Sequence, residues 1–338
     1  MRDILPTLVR WRSEGRRVAI ATVVELRGSA PRDPGASLAL NDRGEIAGSV
    51  TGGCVEPSVI QEAQEVLDGG SARVREYGIA DDEAFEVGLS CGGTVGILIA
   101  KLDTSLLLEL DEAVRADRPA ALTMTATGPR LGEQHLHDGA EGPVAQLLAR
   151  GESALADVDG EVVFVHSLTP RPAMYVFGAI DHAAALTRVG KLLGYRVTVC
   201  DARAAFVTPE RFPDADELVV EWPDRFLQRA PVDETTAICV LTHDQKFDVP
   251  ALVAALETPA VYIGAMGSKV TTADREVRLR AEGVGDAGIA RIHAPIGLAI
   301  GARSPDEVAV AIGAQIVEAT AVARRRAAAE RASVSLLT

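Results

Sequence analysis

Strands and helices alternate along the second half of the chain, and this alternation restricts the fold more than any other feature. AMYVFG is a short apolar run typical of a buried strand, DHAAALTRVGKLLG is helical in pattern and ends at Gly194, and YRVTVC is strand-like again. ELVVEW, TAICVLT and AVYIGAM continue the series. Strand, helix and strand at this spacing predict a Rossmann-like domain with a doubly wound parallel sheet.

The first half has a different pattern, which is typical of a smaller α/β domain. VAIATVVEL predicts a strand, SLALN and EIAGSV flank a predicted hairpin turn at DRG, and VEPSVIQEAQEVLDGG predicts a helix that ends at a glycine pair. We therefore expect an N-terminal α/β domain over residues 1–125. A linker with a connecting strand would cover 126–170, and the Rossmann-like domain with a C-terminal helix would cover 171–325.

The charge balance limits the partners that the chain can have. The 338 residues include 48 acidic and 34 basic side chains, a formal net charge of -14, which argues against general binding to nucleic acids or to anionic membranes. Its longest apolar stretches, such as VGILIA, are too short to span a bilayer, and the charged N-terminus has no signal-peptide core. Four cysteines do not form a disulfide framework in a chain of this length. We expect a cytoplasmic protein without membrane insertion.

The first strand-to-helix turn of the Rossmann half, FGAIDHAAA, is where a dinucleotide would place its phosphates. Gly178 supplies the first glycine of G-x-G-x-x-G, but Ile180 stands at the second position and Ala183 at the third. A β-branched side chain crowds the space for a pyrophosphate, and Asp181 adds a negative charge there. NAD(P) binding is therefore weakened.

The end of the next strand carries an acid at the place expected for a ribose ligand. Asp201 closes VTVCD, and Arg203 follows two positions later. Two interpretations remain open: a domain that binds a nucleotide weakly, or a Rossmann fold kept only for its architecture.

Three later loops also follow strands of the predicted sheet. LTHDQKFD contains His243, IGAMGSK contains Lys269, and HAPIGLAIGA is rich in glycine. The carboxyl ends of parallel strands meet at one edge, so these loops predict a site for an anionic ligand. His243 with Asp244 fits an acid–base pair, and it fits a capped turn at least as well.

The four cysteines divide into two classes. Cys200 and Cys239 lie within β-branched runs and are predicted to be core residues. The other two lie in turns beside glycine pairs, which expose backbone N–H groups and cover the sulfur poorly. Neither a nearby histidine nor a second C-x-x-C completes a zinc site, and a disulfide is out of place in the cytoplasm. Soft ligation of a cofactor, or sulfur transfer, fits better for these residues: Cys54 beside Gly52 and Gly53, and Cys91 beside Gly92 and Gly93.

Several motifs together resemble the xanthine dehydrogenase accessory proteins of the XdhC, CoxF and CoxI family. In the first half these are GSAPRDPGA, GEIAGSVTGGCVE and LSCGG. In the second half they are the FGA turn, VTVCDAR, LTHDQKFD, YIGAMGSK and APIGLAIGA. The resemblance spans residues from about 15 to 320.

The resemblance implies a chaperone, rather than a stand-alone enzyme, that binds the molybdenum cofactor, supports its sulfuration and delivers it to a molybdenum hydroxylase. The client would be of the xanthine dehydrogenase or CO dehydrogenase type, and a cysteine desulfurase is an implied further partner. Cys54 would contact molybdenum or sulfur, Cys91 is the second candidate, and Arg32 would meet the pterin phosphate. A homodimer is the expected assembly because it is the commonest one.

Two departures from the family pattern fall in the Rossmann half. The family commonly reads GAGH where this chain has Gly178, Ala179, Ile180 and Asp181, and it often has an aspartate where this chain has Ala299. Two other functions stay open. One is an NAD(P)-dependent oxidoreductase that uses Asp201, Arg203 and His243; the other is an interaction protein that docks a dehydrogenase without touching its cofactor.

Overall fold

Two compact units, Met1–Pro170 and Arg171–Thr338, make up the chain in a computed structural model. The structure describes residues 1–28, 32–78, 93–137, 141–242 and 244–335. Cys91, Gly92 and His243, which are three of the predicted site residues, lie outside these ranges.

An antiparallel five-stranded sheet, with strand order β3-β2-β1-β5-β4, is the centre of the first unit. The hairpin predicted around DRG is confirmed: Gly44 adopts φ 79° in the turn. The elements are α1 (Leu5–Ser13), β1 (Val18–Arg27), β2 (Ser37–Asn41), β3 (Ile46–Gly48), α2 (Glu56–Leu67), β4 (Arg73–Tyr77) and β5 (Thr94–Lys101).

Both faces of β1 are buried, which explains its nearly continuous apolar sequence. Alternate residues point to opposite faces of a strand. Ile20 and its same-face neighbours join a core with α1, whereas Ala21 and its neighbours join a second core with α2. The helix α2 therefore covers one face of the sheet, and the residue that precedes it, Val55, is fully buried in that core.

Residues 126–170, expected to be a linker with a connecting strand, instead complete a second sheet in the first unit. This antiparallel sheet has the order β7-β6-β9-β8 and shares a core with α1 and α3. The sequence did not predict this sheet because β7 has only four residues and because the residues of β8 alternate between exposed and partly buried. The elements are α3 (Leu107–Arg115), β6 (Ala120–Thr125), β7 (Gln134–His137), α4 (Gly142–Arg150), β8 (Ala154–Val158) and β9 (Glu161–Leu168).

The second unit contains a six-stranded sheet in which every pairing is parallel, with the order β12-β11-β10-β13-β14-β15. This is the strand order of a Rossmann fold, with the topological switch point between β10 and β13. The elements are β10 (Ala173–Phe177), α5 (Asp181–Leu192), β11 (Arg196–Cys200), β12 (Glu217–Val219), α6 (Pro223–Leu227), β13 (Ala237–Val240), α7 (Gln245–Leu256), β14 (Tyr262–Ala265), α8 (Lys269–Ala281), α9 (Asp286–Ile289), β15 (Ile292–His293) and α10 (Pro305–Ser335).

Helices cover both faces of the parallel sheet, as the sequence predicted. Residues of α5 and α10 form a core on one face, and residues of α6, α7 and α8 form a core on the other. The predicted fold class, an α/β domain followed by a Rossmann-like domain, is confirmed. Over the described ranges, no helix combines the length and the apolar character that crossing a membrane requires.

Candidate functional site

The turn that carries Cys54 connects β3 to α2 and is built around the carboxylate of Glu56. The Oε2 atom of Glu56 accepts hydrogen bonds from the backbone N–H of Gly53 at 2.8 Å and from the Thr51 hydroxyl at 2.7 Å. Its Oε1 atom accepts four more, from Ser49 Oγ (2.6 Å) and from the N–H groups of Val50 (3.2 Å), Thr51 (2.8 Å) and Gly52 (2.9 Å).

This network keeps Glu56 ionised. Burial alone would raise the pKa of the carboxyl group, but the hydrogen bonds from Ser49, Thr51 and Gly52 outweigh it and hold the pKa well below its ordinary value. The first residue of α2 thus supplies a fixed negative charge at the helix N-terminus, where the macrodipole also favours one.

Gly52 and Gly53 both adopt positive φ angles, 88° and 129°, which residues with a Cβ atom rarely adopt. The sequence suggested that their N–H groups face an anionic ligand. In the structure they donate instead to Glu56, because a carboxylate three or four residues downstream closes the turn. A Cβ at either glycine would meet no atom within 4 Å, so the outer side of the turn is open.

Cys54 itself is half-buried and packs against the core beneath α2. The exposed Gly53 precedes it and the fully buried Val55 follows it. The residue therefore lies at the boundary between the core and the open side of the turn.

The topology brings the Cys54 turn, the segment with Arg32 and the residues that flank the Cys91 segment to the same end of the five-stranded sheet. Because β2 runs antiparallel to β3, the segment with Arg32 enters β2 at the end where β3 leaves toward Cys54. Because β5 runs antiparallel to β1 and β4, the buried Gly93 enters β5 at that end too. The described residues on either side of the Cys91 segment, Gly78 and Gly93, therefore lie at this end of the sheet.

A second contact supports this placement. Tyr77, the last residue of β4, belongs to the same buried cluster as Val55, and Cys54 packs against this cluster. Gly78 lies so close to Thr94 that a Cβ would be 2.9 Å from the threonine hydroxyl oxygen. The ends of the Cys91 segment thus lie beside each other.

Arg32 is half-exposed and lies near the N-terminus of the chain. One of its Nη atoms is 4.0 Å from a carboxylate oxygen of Asp3, an exposed pair that contributes little to stability. The guanidinium is therefore partly accessible, and its contact with a phosphate remains a prediction.

In the Rossmann half, Gly178 has a structural role. Its φ is 107°, and a Cβ there would lie 2.9 Å from the backbone nitrogen of Thr242. Glycine is required because the chain passes this close to the end of β13, at the switch point of the sheet.

Asp201, the predicted ribose ligand, is buried and already fully engaged. Burial raises the pKa of its carboxyl group, but hydrogen bonds from Arg203 and from the N–H of Ala179 outweigh this and lower the pKa. Oδ1 accepts from Arg203 N (3.0 Å) and Nε (2.9 Å), and Oδ2 accepts from Arg203 Nη2 (2.7 Å) and Ala179 N (2.8 Å). These four bonds use the acceptor capacity of the carboxylate, so ribose hydroxyls would have to displace Arg203.

Cations and an exposed aromatic ring collect around this turn. The Arg203 guanidinium carbon lies 4.6 Å from the centroid of the Phe206 ring, and that of Arg211 lies 5.5 Å from it. Arg211 also donates to the carbonyl of Ala179 at 3.1 Å. Each guanidinium group is matched by a carboxylate, since Arg203 pairs with Asp201 at 2.7 Å and Arg211 pairs with Asp181 at 3.4 Å.

The other two loops are held by buried polar contacts. Arg275 donates through Nε to Asp248 at 3.0 Å and through Nη2 to the carbonyl of Met266 at 2.6 Å, which joins the LTHDQKFD and IGAMGSK motifs. Both charged side chains are 2% exposed. Lys269 is exposed in the first turn of α8, where Ser268 caps the helix.

The glycine-rich HAPIGLAIGA motif packs against α10. Gln315 accepts from the hydroxyl of Tyr262 at 2.7 Å and from the N–H of Gly297 at 2.8 Å. A Cβ at Gly297 would lie 3.2 Å from the backbone nitrogen of Ile312. This glycine is therefore explained by close packing against the helix.

Two regions of the sequence match descriptions of one protein family. Residues 11–78 match the XdhC and CoxI family, and residues 174–316 match the XdhC Rossmann domain. The chain belongs to the XdhC and CoxI family.

Relatives of this XdhC-type chain match over nearly its whole length. A Bacillus subtilis protein named as a probable xanthine dehydrogenase component is 27% identical over 88% of the chain and 92% of the relative. The molybdenum cofactor insertion chaperone PaoD of Escherichia coli is 26% identical over 93% of the chain and 87% of the relative. A crystal structure described as a xanthine dehydrogenase from Bacillus halodurans has the same fold, with a TM-score of 0.73, 24% identity and coverage of 94% and 96%.

The thiols of this XdhC-type chain fall into the predicted classes where the structure describes them. Cys200 and Cys239 are fully buried; burial raises the pKa of the Cys200 thiol to about 12 and also raises the pKa of Cys239. Within the described ranges, no three or more His, Cys, Asp or Glu side chains are grouped so as to hold a metal ion.

Three residues that shape the site were missed from the sequence: Glu56, Arg211 and Arg275. Glu56 left a local signal, since a carboxylate that follows a glycine pair and opens a helix can accept the N–H groups of the turn. Arg211 and Arg275 left none, because the Ala179 carbonyl lies 32 residues from Arg211 and Asp248 lies 27 residues from Arg275, and neither separation follows a spacing rule.

Proposed function

We propose that this protein is a chaperone of the molybdenum cofactor, which it binds as cargo and transfers to a molybdenum enzyme of the xanthine dehydrogenase type. The observation that carries the proposal is the near full-length similarity to an insertion chaperone for this cofactor. The geometry of the Cys54 turn supports it, because that turn sets a half-buried thiol beside an open side.

Cys54 is the residue that we propose as the contact to the cargo. Molybdenum held by dithiolene sulfur is a soft centre, so a thiolate is a suitable ligand. Cys91 is proposed as the second thiol, since the described residues on either side of its segment, Gly78 and Gly93, lie at the same end of the sheet as the Cys54 turn.

The phosphate of the pterin needs a partner other than the glycine N–H groups, which Glu56 occupies. Arg32 is the proposed partner, because it enters at the same sheet end and its guanidinium is accessible. A charge-assisted bond from arginine suits a phosphate group.

Two finer steps complete the proposal. The cofactor receives its terminal sulfido ligand while it is bound here, with a cysteine desulfurase as the source of sulfur, and the client then takes up the mature cofactor. Cys54 and Cys91 are the candidate groups for holding the cofactor during this step.

An oxidoreductase that uses NAD(P) has less support. The carboxylate of Asp201 already accepts hydrogen bonds from Arg203 and Ala179. In addition, Ile180 stands in place of the glycine that a pyrophosphate needs. Proteins of this alternative class would bind a nicotinamide nucleotide saturably in isolation.

The test is anaerobic titration of the full chain with molybdenum cofactor, for the wild type beside Cys54→Ala, Cys91→Ala and Arg32→Ala. Cys239→Ala is the matched control, because it removes a fully buried thiol that lies within strand β13. We expect stoichiometric binding by the wild type and the control, and a loss of affinity of at least about tenfold in Cys54→Ala. Absence of cofactor binding in the wild type, with saturable binding of NAD(P), would overturn the proposal.

Transfer is tested separately with the loaded protein and a cofactor-free xanthine dehydrogenase. We expect the client to gain activity only when the carrier is loaded, and more slowly with Cys54→Ala. A client that is reconstituted equally well by free cofactor, at every carrier concentration, would contradict a carrier role.

A further inference from the structure

The helix α8 follows the carboxyl end of β14, and its first turn has backbone N–H groups without acceptors. The hydroxyl of Ser268, which caps the helix, accepts from the N–H of Thr271 at 3.1 Å. Helix geometry provides no acceptor for the N–H groups of Lys269 and Val270, which precede Thr271 in the first turn. Over the described ranges, neither of these groups nor the N–H of Gly267 forms a hydrogen bond. The start of α8 therefore presents unused donors at the edge of the sheet where ligands of this fold bind.

A buried guanidinium group lies against the same turn. Arg275 is 2% exposed, and its Nη2 atom donates to the carbonyl of Met266 at 2.6 Å. A Cβ at Gly267 would lie 3.4 Å from this Nη2 atom, so the guanidinium contacts the turn and the glycine places no side chain between them. The Nη1 atom of Arg275 is buried and, among the residues that the structure describes, has no hydrogen-bond partner. A buried donor without an acceptor is costly, which indicates that an acceptor binds beside this turn.

The charges at the start of α8 also favour an anion. The three other helices of eight or more residues in the described part of the second unit begin with an acid: Asp181 opens α5, Asp244 caps α7 and Asp306 lies in the first turn of α10. The first turn of α8 has no acid, and Lys269 is exposed there. The helix macrodipole adds partial positive charge at the same place.

The first strand-to-helix turn, where this fold ordinarily binds phosphate, is less suitable in this chain. The N–H of Ala179 donates to the carboxylate of Asp201 at 2.8 Å, and the N–H of Ile180 donates to the carbonyl of Gly178 at 3.0 Å. Asp181 follows with a negative charge. The donors of that turn are therefore used, whereas those at the start of α8 are available.

The neighbouring Asp248 narrows the chemistry of the ligand. Its Oδ2 atom accepts from Nε of Arg275 at 3.0 Å, so these two charges balance and Lys269 supplies the net positive charge. Its Oδ1 atom is buried and has no donor in the described part of the chain. A ligand that both accepts and donates would satisfy Nη1 and Oδ1 together. Phosphate fits, because it has several acceptor oxygens and, with a second pKa of about 6, retains a proton in part near neutral pH, whereas a carboxylate only accepts.

We propose that the Rossmann-like unit binds a phosphate group at the N-terminus of α8, either as inorganic phosphate or as the monoester of a small molecule. The backbone N–H groups of Lys269 and Val270 and the side chains of Lys269 and Arg275 donate to it. Charge-assisted bonds from ammonium and guanidinium groups, together with the N–H groups of a helix start, suit such an anion. Binding here uses residues of the second unit only and does not depend on the cofactor-chaperone function.

Calorimetric titration of the full chain with inorganic phosphate, at constant ionic strength, tests the site. The wild type should bind saturably with a Kd of about 1 mM or lower, and Lys269→Ala should weaken binding about threefold or more because the ammonium is lost. Lys269→Pro also removes an N–H group and should weaken binding at least about tenfold. Proline suits this position, since it is the first of the helix and Ser268 before it is extended with ψ 168°.

Lys246→Ala is the matched control, because Lys246 is 60% exposed at the start of α7 and pairs with Asp244 at 3.2 Å. It should bind phosphate as the wild type does, and far-UV circular dichroism should show every variant folded. Three results would overturn the proposal: no saturable binding by the wild type up to about 10 mM phosphate, a folded Lys269→Pro that binds as tightly as the wild type, or equal losses in Lys246→Ala and Lys269→Ala.

Titrations with ribose 5-phosphate and with ribose distinguish the sources of the phosphate group. Ribose 5-phosphate that binds at least about tenfold more tightly than inorganic phosphate would identify a sugar monoester, and similar affinities would identify free phosphate. Ribose that binds as tightly as ribose 5-phosphate would contradict recognition of phosphate. All titrations use protein without molybdenum cofactor, so a failure here leaves the chaperone function standing, and a failure of cofactor binding leaves this site standing.

Discussion

The backbone N–H of Gly53 donates a hydrogen bond of 2.8 Å to Oε2 of Glu56, so the turn that carries Cys54 is closed by the first residue of the helix that follows it. The glycines let the chain bend sharply enough for this contact, and the contact in turn fixes the position of Cys54, which lies between Gly53 and Glu56. The thiol therefore lies in a turn whose backbone is held by hydrogen bonds to Glu56.

Replacing Glu56 by glutamine should destabilise the first unit by about 1–3 kcal/mol, because several loop donors lose a charged acceptor. The amide keeps the shape of the side chain, so the loss of stability comes from the missing negative charge and from the NH₂ group, which has no acceptor in the turn. Urea denaturation measures it from the shift of the midpoint at constant slope. Glu112→Gln, at a side chain that is 79% exposed, is the control and should change stability little. Equal stability of Glu56→Gln and the wild type would contradict the network.

The stabilisation by Glu56 should depend on pH in a defined direction. Burial raises the pKa of Glu56, but hydrogen bonds from Ser49 and Thr51 outweigh burial and lower the pKa in the folded protein below its ordinary value of 4.5. The contribution is therefore complete above that value and is lost as the pH falls below it. The difference in unfolding free energy between the wild type and Glu56→Gln should shrink from about pH 7 to about pH 3. A difference that grows toward acid would be inconsistent with a lowered pKa.

Substituting Gly53 by alanine should cost about 1–3 kcal/mol, although the added methyl group meets no neighbour. The cause is the backbone, since φ 129° is strained for any residue with a Cβ. Gly285→Ala is the matched control, because that glycine has a φ of -78° and equally open space. Thermal unfolding should show a lower midpoint for Gly53→Ala and a nearly unchanged one for Gly285→Ala. Equal midpoints would mean that the turn does not require glycine.

Iodoacetamide should distinguish the three thiols that the structure describes. Cys54 is half-buried, whereas Cys200 and Cys239 are fully buried and their pKa values are raised by that burial, to about 12 for Cys200. Because the thiolate is the reactive form, Cys54 should be alkylated about a hundredfold faster or more at mildly alkaline pH. Mass spectrometry of the peptides gives the three rates. Labelling of Cys239 as fast as that of Cys54, in folded protein, would be contrary to the structure.

The buried ion pair between Asp248 and Arg275 should respond differently to single and double substitutions. Asp248→Leu or Arg275→Met alone leaves a charge in a site where both side chains are 2% exposed, at a cost of about 3–5 kcal/mol. The double variant removes both charges and should be more stable than either single one. The exposed pair of Asp244 and Lys246 provides the comparison, where Asp244→Asn should have little effect. Additive losses in the double variant would show that the two charges do not stabilise each other.

Much of the fold follows from local sequence patterns. Apolar runs of five or six residues separated by helical segments, as in AMYVFG and YRVTVC, are sufficient to predict parallel strands, because such strands are buried on both faces. The sheet over residues 120–168 was harder to predict. Its strands β7 and β8 are short and partly exposed, so their sequences carry weak patterns and are decided by pairing with β6 and β9.

The contacts of the candidate site also divide into local ones, which the sequence indicates, and distant ones, which it does not. Every partner of Glu56 in the Cys54 turn lies within seven residues, so its role was present in the sequence as the pattern GGCVE. Ala179, which donates to Asp201, lies 22 residues from it, and Asp248, which pairs with Arg275, lies 27 residues from it; no spacing rule predicts these two contacts. Contacts between distant segments depend on how the strands are ordered.

Local sequence patterns were enough to predict the parallel sheet, the buried thiols Cys200 and Cys239, and the turn that sets Cys54 beside two glycines, because apolar periodicity and glycine act locally. Which of these groups remain available to a ligand depends on contacts that form only in the folded chain. The tertiary structure placed the N–H of Ala179, 22 residues away in sequence, on the carboxylate of Asp201. It also brought the Cys54 turn, the segment with Arg32 and the residues that flank the Cys91 segment to one end of the five-stranded sheet. Whether a polar group is available to a ligand depends on which neighbours already use its hydrogen bonds, and those neighbours come from folding.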